Sequence, residues 1–311
     1  MVVLLCAVVY AAALVFLAAC AVRVVKFARA PIHLRWELYP VPHEQPDRVA
    51  HGGSYFEEVD WWTKPAHFSF WGEMKFMVPE MLFLKGLHEF NRRLWYRSFP
   101  FHFGPYLLIG TLLLTATGVA AGFFAPALLA GSGGALLRSA IAALGLAGCA
   151  LAVFGAAALL ARRLKDEKLK GYTTGGDLFN LVFFIVALGV LCAGLLTRPP
   201  ATPDVIGLAA GLLTFEASLQ IPWLLAAGII LVSLLLAYIP LTHMSHFIAK
   251  YFTYHSVRWD DSINRRGSRI EARLAEYLTY RPTWAARHIG ADGNKTWAQI
   301  AMTNPAQEAK K

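Results

Sequence analysis

The sequence predicts an all-α membrane protein: five transmembrane helices, the N-terminus outside and the C-terminus cytoplasmic, an interfacial amphipathic helix and a cytoplasmic tail. Three observations carry this. Of 311 residues, 57% are hydrophobic and only 16% charged, with a mean hydropathy of +0.47, too apolar for an ordinary soluble domain. Five apolar stretches, roughly 2–25, 103–130, 135–160, 178–197 and 221–248, reach the length of about 20 residues that a helix needs to cross a bilayer. And of 29 Lys and Arg, only Arg138 and Arg198 fall on the side shared by the 131–134 and 198–220 loops. Basic residues are retained on the cytoplasmic side, so this bias orients the chain. It also gives the sequence pI near 9.5 a cause in topology, which argues against nucleic acid as a partner.

The first stretch, 1–25, is too long for a signal peptide and lacks a small-residue cleavage site, so it reads as a retained span. Residues 26–102 form a cytoplasmic or interfacial segment. Pro31, Pro40, Pro42 and Pro46 argue against a regular element in its first part. Near 80–96, Met81, Leu84, Leu87, His88, Phe90, Leu94 and Trp95 recur at helical spacing while Lys85, Glu89, Arg92 and Arg93 fall elsewhere. That pattern predicts an amphipathic helix in the headgroup plane, with Trp95 and Tyr96 in the aromatic belt. Residues 103–248 read as a four-helix transmembrane bundle. Between its second and third helices, Thr173, Thr174 and Asp177 can cap the following helix. Residues 249–311 read as a partner-docking tail, helical around 265–278 and irregular after "RPTWAARHIG". The four cysteines all lie within spans and form no CxxC, so no disulfide, zinc or iron–sulfur framework is encoded in this chain.

The functional signal is histidine. Of ten, only His102, His243 and His246 touch the spans, and all three fall at the cytoplasmic edge, from two different helices. Imidazoles at one depth in a hydrocarbon edge need partners. One haem b satisfies them: two neutral imidazoles from facing helices bind iron axially, each keeping its other N–H for an acceptor, and the macrocycle fills the gap between helices. Arg93, Arg97 and Lys250 are available for the propionates, and Gly104 lets backbone approach the ring. Spacing alone does not choose between His243 and His246, which are i and i+3 on one helical face.

These features resemble the gamma subunit of respiratory nitrate reductase and its relatives in heterodisulfide-reductase-like and sulfite-reduction-associated complexes. The matching residues are "FHFG" opening span two, "YTTGGDLFNLVFFIVALGVLCAGLLT" in span four, and Pro240 followed six residues later by His246. The resemblance implies His102 and His246 as the axial pair, with His243 as the alternative. It also implies a cytochrome b subunit, not a complete enzyme alone, of a multi-pass protein in the cytoplasmic membrane of a bacterium or archaeon. Its partners are then membrane lipid, menaquinone or another quinone, and a cytoplasmic iron–sulfur subunit of the CCG-domain type, toward which the long tail also points. The family's second haem takes ligands where this chain has Leu112 and Gly228, neither of which can bind iron. Quinone chemistry is then expected on the cytoplasmic side, with Lys85, His88, Glu89, Trp95 and Tyr96 as the quinone wall. The rival expectation is a haem-free membrane anchor or scaffold for a cytoplasmic redox enzyme.

Overall fold

The structure, a computed structural model, describes residues 2–30, 35, 39–45, 47, 50, 52–284 and 289–303. Parts of the proline-containing stretch and of the tail, including Pro31, Pro46 and His288, lie outside the described residues. Among those described the chain is helical, with no strand. The long elements are α1 (Val2–Ala28), α2 (Phe70–Leu82), α3 (Lys85–Phe90), α4 (Arg92–Phe124), α5 (Ser132–Lys165), α6 (Gly175–Leu196), α7 (Val205–Leu213), α8 (Trp223–Tyr238), α9 (His246–Thr253) and α10 (Arg269–Leu278). Among the described residues five helical stretches are long and apolar enough to cross a membrane: α1, α4, α5, α6, and α8 with the turn that extends it to Leu241.

Two compact units emerge, residues 1–23 with 71–246, and 24–70 with 247–311. The first holds the spanning helices. In it α4 packs on α5 through small residues. A Cβ on Gly104 would stand 2.6 Å from the Ala152 amide nitrogen and the Gly148 carbonyl oxygen, and one on Gly155 would stand 2.3 Å from the Phe101 nitrogen. Lipid supplies no hydrophobic drive between helices, so close backbone approach has to supply the dispersion contact. Gly194 and Gly228 do the same between α6 and α8. α1 closes the unit by burying Val2, Leu5 and Cys6 against Leu219, Ile221, Leu225 and the short α7 helix, which lies within a stretch the sequence reads as loop.

The ends of these helices satisfy themselves as the residue types demand. Thr174 and Asp177 make a reciprocal capping box at the start of α6, as the sequence predicts. At one end of the unit Arg23 donates to the carbonyls of Pro240 and Leu241, both at 3.1 Å, and Arg163 reaches Asp177. At the other, Arg138 pairs with Asp204 at 2.6 Å and Arg198 donates to the Pro203 carbonyl. The two basic residues on the sparse side are therefore both held by the chain itself.

Three boundaries differ from expectation. The single amphipathic helix near 80–96 is three pieces: Leu84 adopts the left-handed region at φ +53°, and Asn91 stops one helix and caps the next by accepting from the Leu94 amide. Span two therefore starts at Arg92 rather than 103. Hydropathy misses its first turns because they are polar and aromatic, yet they are helical. Span five stops at Leu241, because Pro240 has no N–H to donate and Thr242 is extended, with ψ at −176°.

The second unit joins two segments that the sequence keeps apart. The described residues from Phe247 onward fall in one compact unit with those of 24–70. Its centre is polar. Arg35, buried, contacts Glu44 at 2.5 Å and Asp261 at 2.9 Å, and Asp261 also contacts His43 at 2.8 Å. Ser54 Oγ and the Tyr55 amide donate to the two Glu44 oxygens. Arg35 stacks over Phe56 at 4.4 Å, and the buried Trp259 stands edge-on to His43 at 6.3 Å. Charges held this far from solvent stabilise the fold only where they are paired and hydrogen-bonded, and Arg35 here bridges both carboxylates.

Candidate functional site

His102 stands about three turns into α4. Pro100 and Pro105 flank it, each removing one intrahelical hydrogen bond. His246 begins α9, after two 3₁₀ turns, Ile239–Leu241 and His243–Ser245. The imidazoles of His102 and His246 lie 6.0 Å apart between ring centroids, with planes at 65°. Nδ1 of His102 donates to the Ser98 carbonyl oxygen at 2.7 Å, and the Ser98 hydroxyl is 3.3 Å from the same nitrogen. A carbonyl only accepts, so Nδ1 carries the proton. In the neutral ring Nε2 then holds the lone pair, the tautomer a metal requires.

The chemistry of this donor pair can be tested against the group it would hold. Two imidazoles on opposite sides of one metal ion place their ring centroids about 6.2 Å apart, from metal–nitrogen bonds of about 2.0 Å and nitrogen-to-centroid distances of roughly 1.1 Å. The observed 6.0 Å fits that requirement. Among the described residues no three His, Cys, Asp or Glu side chains converge into a group that could hold a metal ion.

His243 is engaged elsewhere. Its Nε2 lies 3.8 Å from Asp177 Oδ1 and 3.4 Å from the Asn180 side-chain nitrogen, and Asn180 Oδ1 in turn accepts from the Tyr238 hydroxyl at 2.8 Å. Because Pro240 breaks the helix, His243 and His246 sit in separate short elements and not on one helical face, a correction to the i, i+3 expectation. The structure thus separates two histidines that spacing could not.

The remaining expected residues divide. Arg93 is exposed on the first turn of α4, and Arg97 one turn on donates to its carbonyl at 3.1 Å, so the two cations share one helical edge. Lys250 belongs to the second unit, where its Nζ lies 5.7 Å from the Tyr254 ring centroid. Gly104 serves a different contact from the expected one: it is closed against Gly148 and Ala152 of α5, so its small size permits helix packing rather than approach of a ring. Gly228 is likewise closed, with a Cβ there 2.5 Å from the Leu191 Cα, while Leu112 is exposed. Of the quinone wall, His88 packs edge-on to Trp95 at 4.9 Å and Trp95 neighbours Tyr96 at 5.3 Å. Lys85 and Glu89 pair with each other on an exposed surface. Trp95 continues into a stacked ladder with Phe99 and Phe103 along α4.

Sequence reasoning missed Ser98, Asn180, Tyr238 and the partnership of Asp177 with His243. The signals existed. Ser98 is four residues before His102, which on a helix places its carbonyl beneath the ring, and Asn180 is the lone amide in an apolar run. Comparison with protein-family models, with curated proteins and with solved structures returns no match.

Proposed function

We propose that this chain is the membrane cytochrome b subunit of a respiratory oxidoreductase complex, passing electrons between a quinone pool and an iron–sulfur partner on its basic, cytoplasmic side. The observation that supports this most is the approach of His102 and His246 to 6.0 Å, with the His102 Nδ1 proton directed to the Ser98 carbonyl. A haem b bound there would supply a one-electron carrier. The chain's own part is to present two neutral imidazoles from α4 and α9 and to fix the His102 tautomer through Ser98. Arg93 and Arg97 place cations near the same end of α4 for carboxylates. Quinone reduction takes up two electrons and two protons, and quinol oxidation returns them. The chain therefore serves such a couple only together with the iron–sulfur partner that accepts or donates the electrons singly. That partner, the CCG-domain chemistry assigned to it, menaquinone as the quinone and the inner membrane of a bacterium or archaeon rest on the family resemblance alone.

The decisive test is a pyridine haemochrome assay on the purified protein, with a reduced-minus-oxidised spectrum. About one haem b per chain is expected, lost in His102→Ala and in His246→Ala; retention in either variant ends the assignment. The rival reading, a haem-free anchor for a cytoplasmic redox enzyme, is favoured by one observation: His102 and His243 already have polar partners within the protein. A stably folded, colourless protein in membranes supplied with haem decides for it.

A further inference from the structure

The second unit contains a pocket of about 380 Å³, a volume within the range of small-molecule sites. Its walls come from four places: the end of α1, the stretch from α9 into a π-helical turn (Tyr254–Arg258), Asp260 and Ser262 just after it, and Arg273 of α10. We propose that this pocket binds the quinone headgroup; the inference rests on the quinone-linked reading above and names its site.

The pocket has both halves that such a ligand needs. Phe27 and Phe252, 5.7 Å apart between ring centroids, give it an apolar aromatic wall. His255, Asp260 and Arg273 give it polar groups of mixed character. His255 is held between Tyr251, at 4.2 Å, and Trp259, edge-on at 5.5 Å, so its ring has little freedom. The π-helical turn that presents it is a geometry that recurs at functional sites, because one extra residue per turn changes which side chains face inward. Arg273 is anchored by donating to the Arg29 carbonyl at 2.9 Å, and a guanidinium carries further N–H donors. Asp260 is fixed through the Ser262 amide, 2.9 Å away.

The charges choose between ligand classes. A phosphate headgroup is drawn by Arg273 but repelled by the Asp260 carboxylate in the same cavity, whereas a quinone is neutral. Its two carbonyl oxygens accept from Arg273 and His255, and as quinol its hydroxyls donate to Asp260 or His255. A prenylated ring also needs a route from lipid. The neighbouring turns of α1 and α9 carry exposed apolar side chains for it: Val24, Val25, Phe247 and Tyr251. Lys85 and Glu89 of the rival wall pair with each other in the open instead.

The test is binding of the fluorescent quinone-site inhibitor 2-heptyl-4-hydroxyquinoline N-oxide to the full-length protein in nanodiscs, read by fluorescence quenching. His255→Leu, which removes the central donor, and Ala249→Trp, which fills the cavity, should each weaken binding at least tenfold, while the Lys85→Ala/Glu89→Gln double variant binds as the wild type does. Unchanged affinity in both pocket variants, or loss only in the double variant, overturns the proposal. So does displacement of the inhibitor by excess phosphatidylglycerol, which makes the pocket a lipid site. Photolabelling of the wild-type protein with an azido-quinone needs no variant to fold: label between residues 249 and 273 supports the assignment, and label confined to 80–96 overturns it. The haem spectrum keeps the two readings apart. A colourless protein that still binds the inhibitor through His255 loses the electron relay but keeps the pocket; a haem-bearing protein indifferent to the pocket variants loses the pocket alone.

Discussion

Gly104 of α4 lies so close to Ala152 of α5 that a Cβ added at Gly104 would stand 2.6 Å from the Ala152 amide nitrogen. The obstacle is backbone, which cannot rotate away. Gly104→Ala is therefore expected to push the two helices apart, at a cost in the range of about 1–3 kcal/mol found for overpacked cores. Gly110→Ala, on the same helix with no atom within 4 Å of the new methyl, is expected to stay within about 0.5 kcal/mol of the parent. Thermal unfolding of both variants in detergent distinguishes them; equal melting temperatures refute the close packing of α4 on α5. Because Phe101 sits in the same contact, against Gly155, Gly104→Ala should also disturb the turn that carries His102.

His243 provides the sharpest check on ligand choice. Its ring is 68% exposed and turned to Asp177 and Asn180, not to His102. His243→Ala is expected to keep about one haem per chain and, for so exposed a pair, to change stability by less than about 0.5 kcal/mol. Optical spectra of His243→Ala beside His246→Ala read the difference directly. Loss of haem in the first and retention in the second would reverse the assignment.

Tyr238 and Asn180 form a buried polar contact between α8 and α6, with the hydroxyl 2.8 Å from the amide oxygen and Asn180 only 5% exposed. Tyr238→Phe leaves that oxygen without this donor in an apolar setting. Interhelical hydrogen bonds in membranes average about 0.6 kcal/mol, and an unsatisfied buried amide costs about 1–3 kcal/mol, so a loss near 1 kcal/mol is expected. Asn180→Leu combined with Tyr238→Phe should recover part of it, because neither group then needs a partner. A double-mutant cycle showing strictly additive losses argues that the two side chains do not interact.

What the sequence made legible follows from which forces are local. Five spans and the Thr174–Asp177 cap are encoded by runs and near neighbours, and they hold in the structure. The breaks at Leu84 and Asn91 were not legible, since an amphipathic pattern reads continuously through a residue forced into the left-handed region. The separation of His243 from His246 required knowing that Pro240 ends the helix and does not merely bend it. Least legible was the pairing of residues 24–70 with 247–311: Arg35 meets Asp261 across 226 residues, and no periodicity announces an ion pair.

That ion cluster makes the second unit sensitive to both charge removal and alkali. Arg35→Met deprives the buried Glu44 carboxylate and the part-buried Asp261 carboxylate of their shared cation, and leaving a buried charge unpaired costs about 3–5 kcal/mol. The cluster also acts on Tyr55, whose ionisation is pushed well above its ordinary range, first by burial and then by the Asp261 carboxylate beside it. In the unfolded chain a tyrosine ionises near pH 10. Below that pH both states keep the proton and Tyr55 contributes its full share. Above it, the unfolded chain releases the proton while the folded one holds it, so stability drains away as pH climbs toward the folded value. The wild type should therefore lose melting temperature on passing from about pH 9 to 11, and Tyr55→Phe, which has no proton to release, should fall less steeply over the same interval. Superimposable pH profiles for the two proteins would show that Tyr55 does not sense the buried carboxylates.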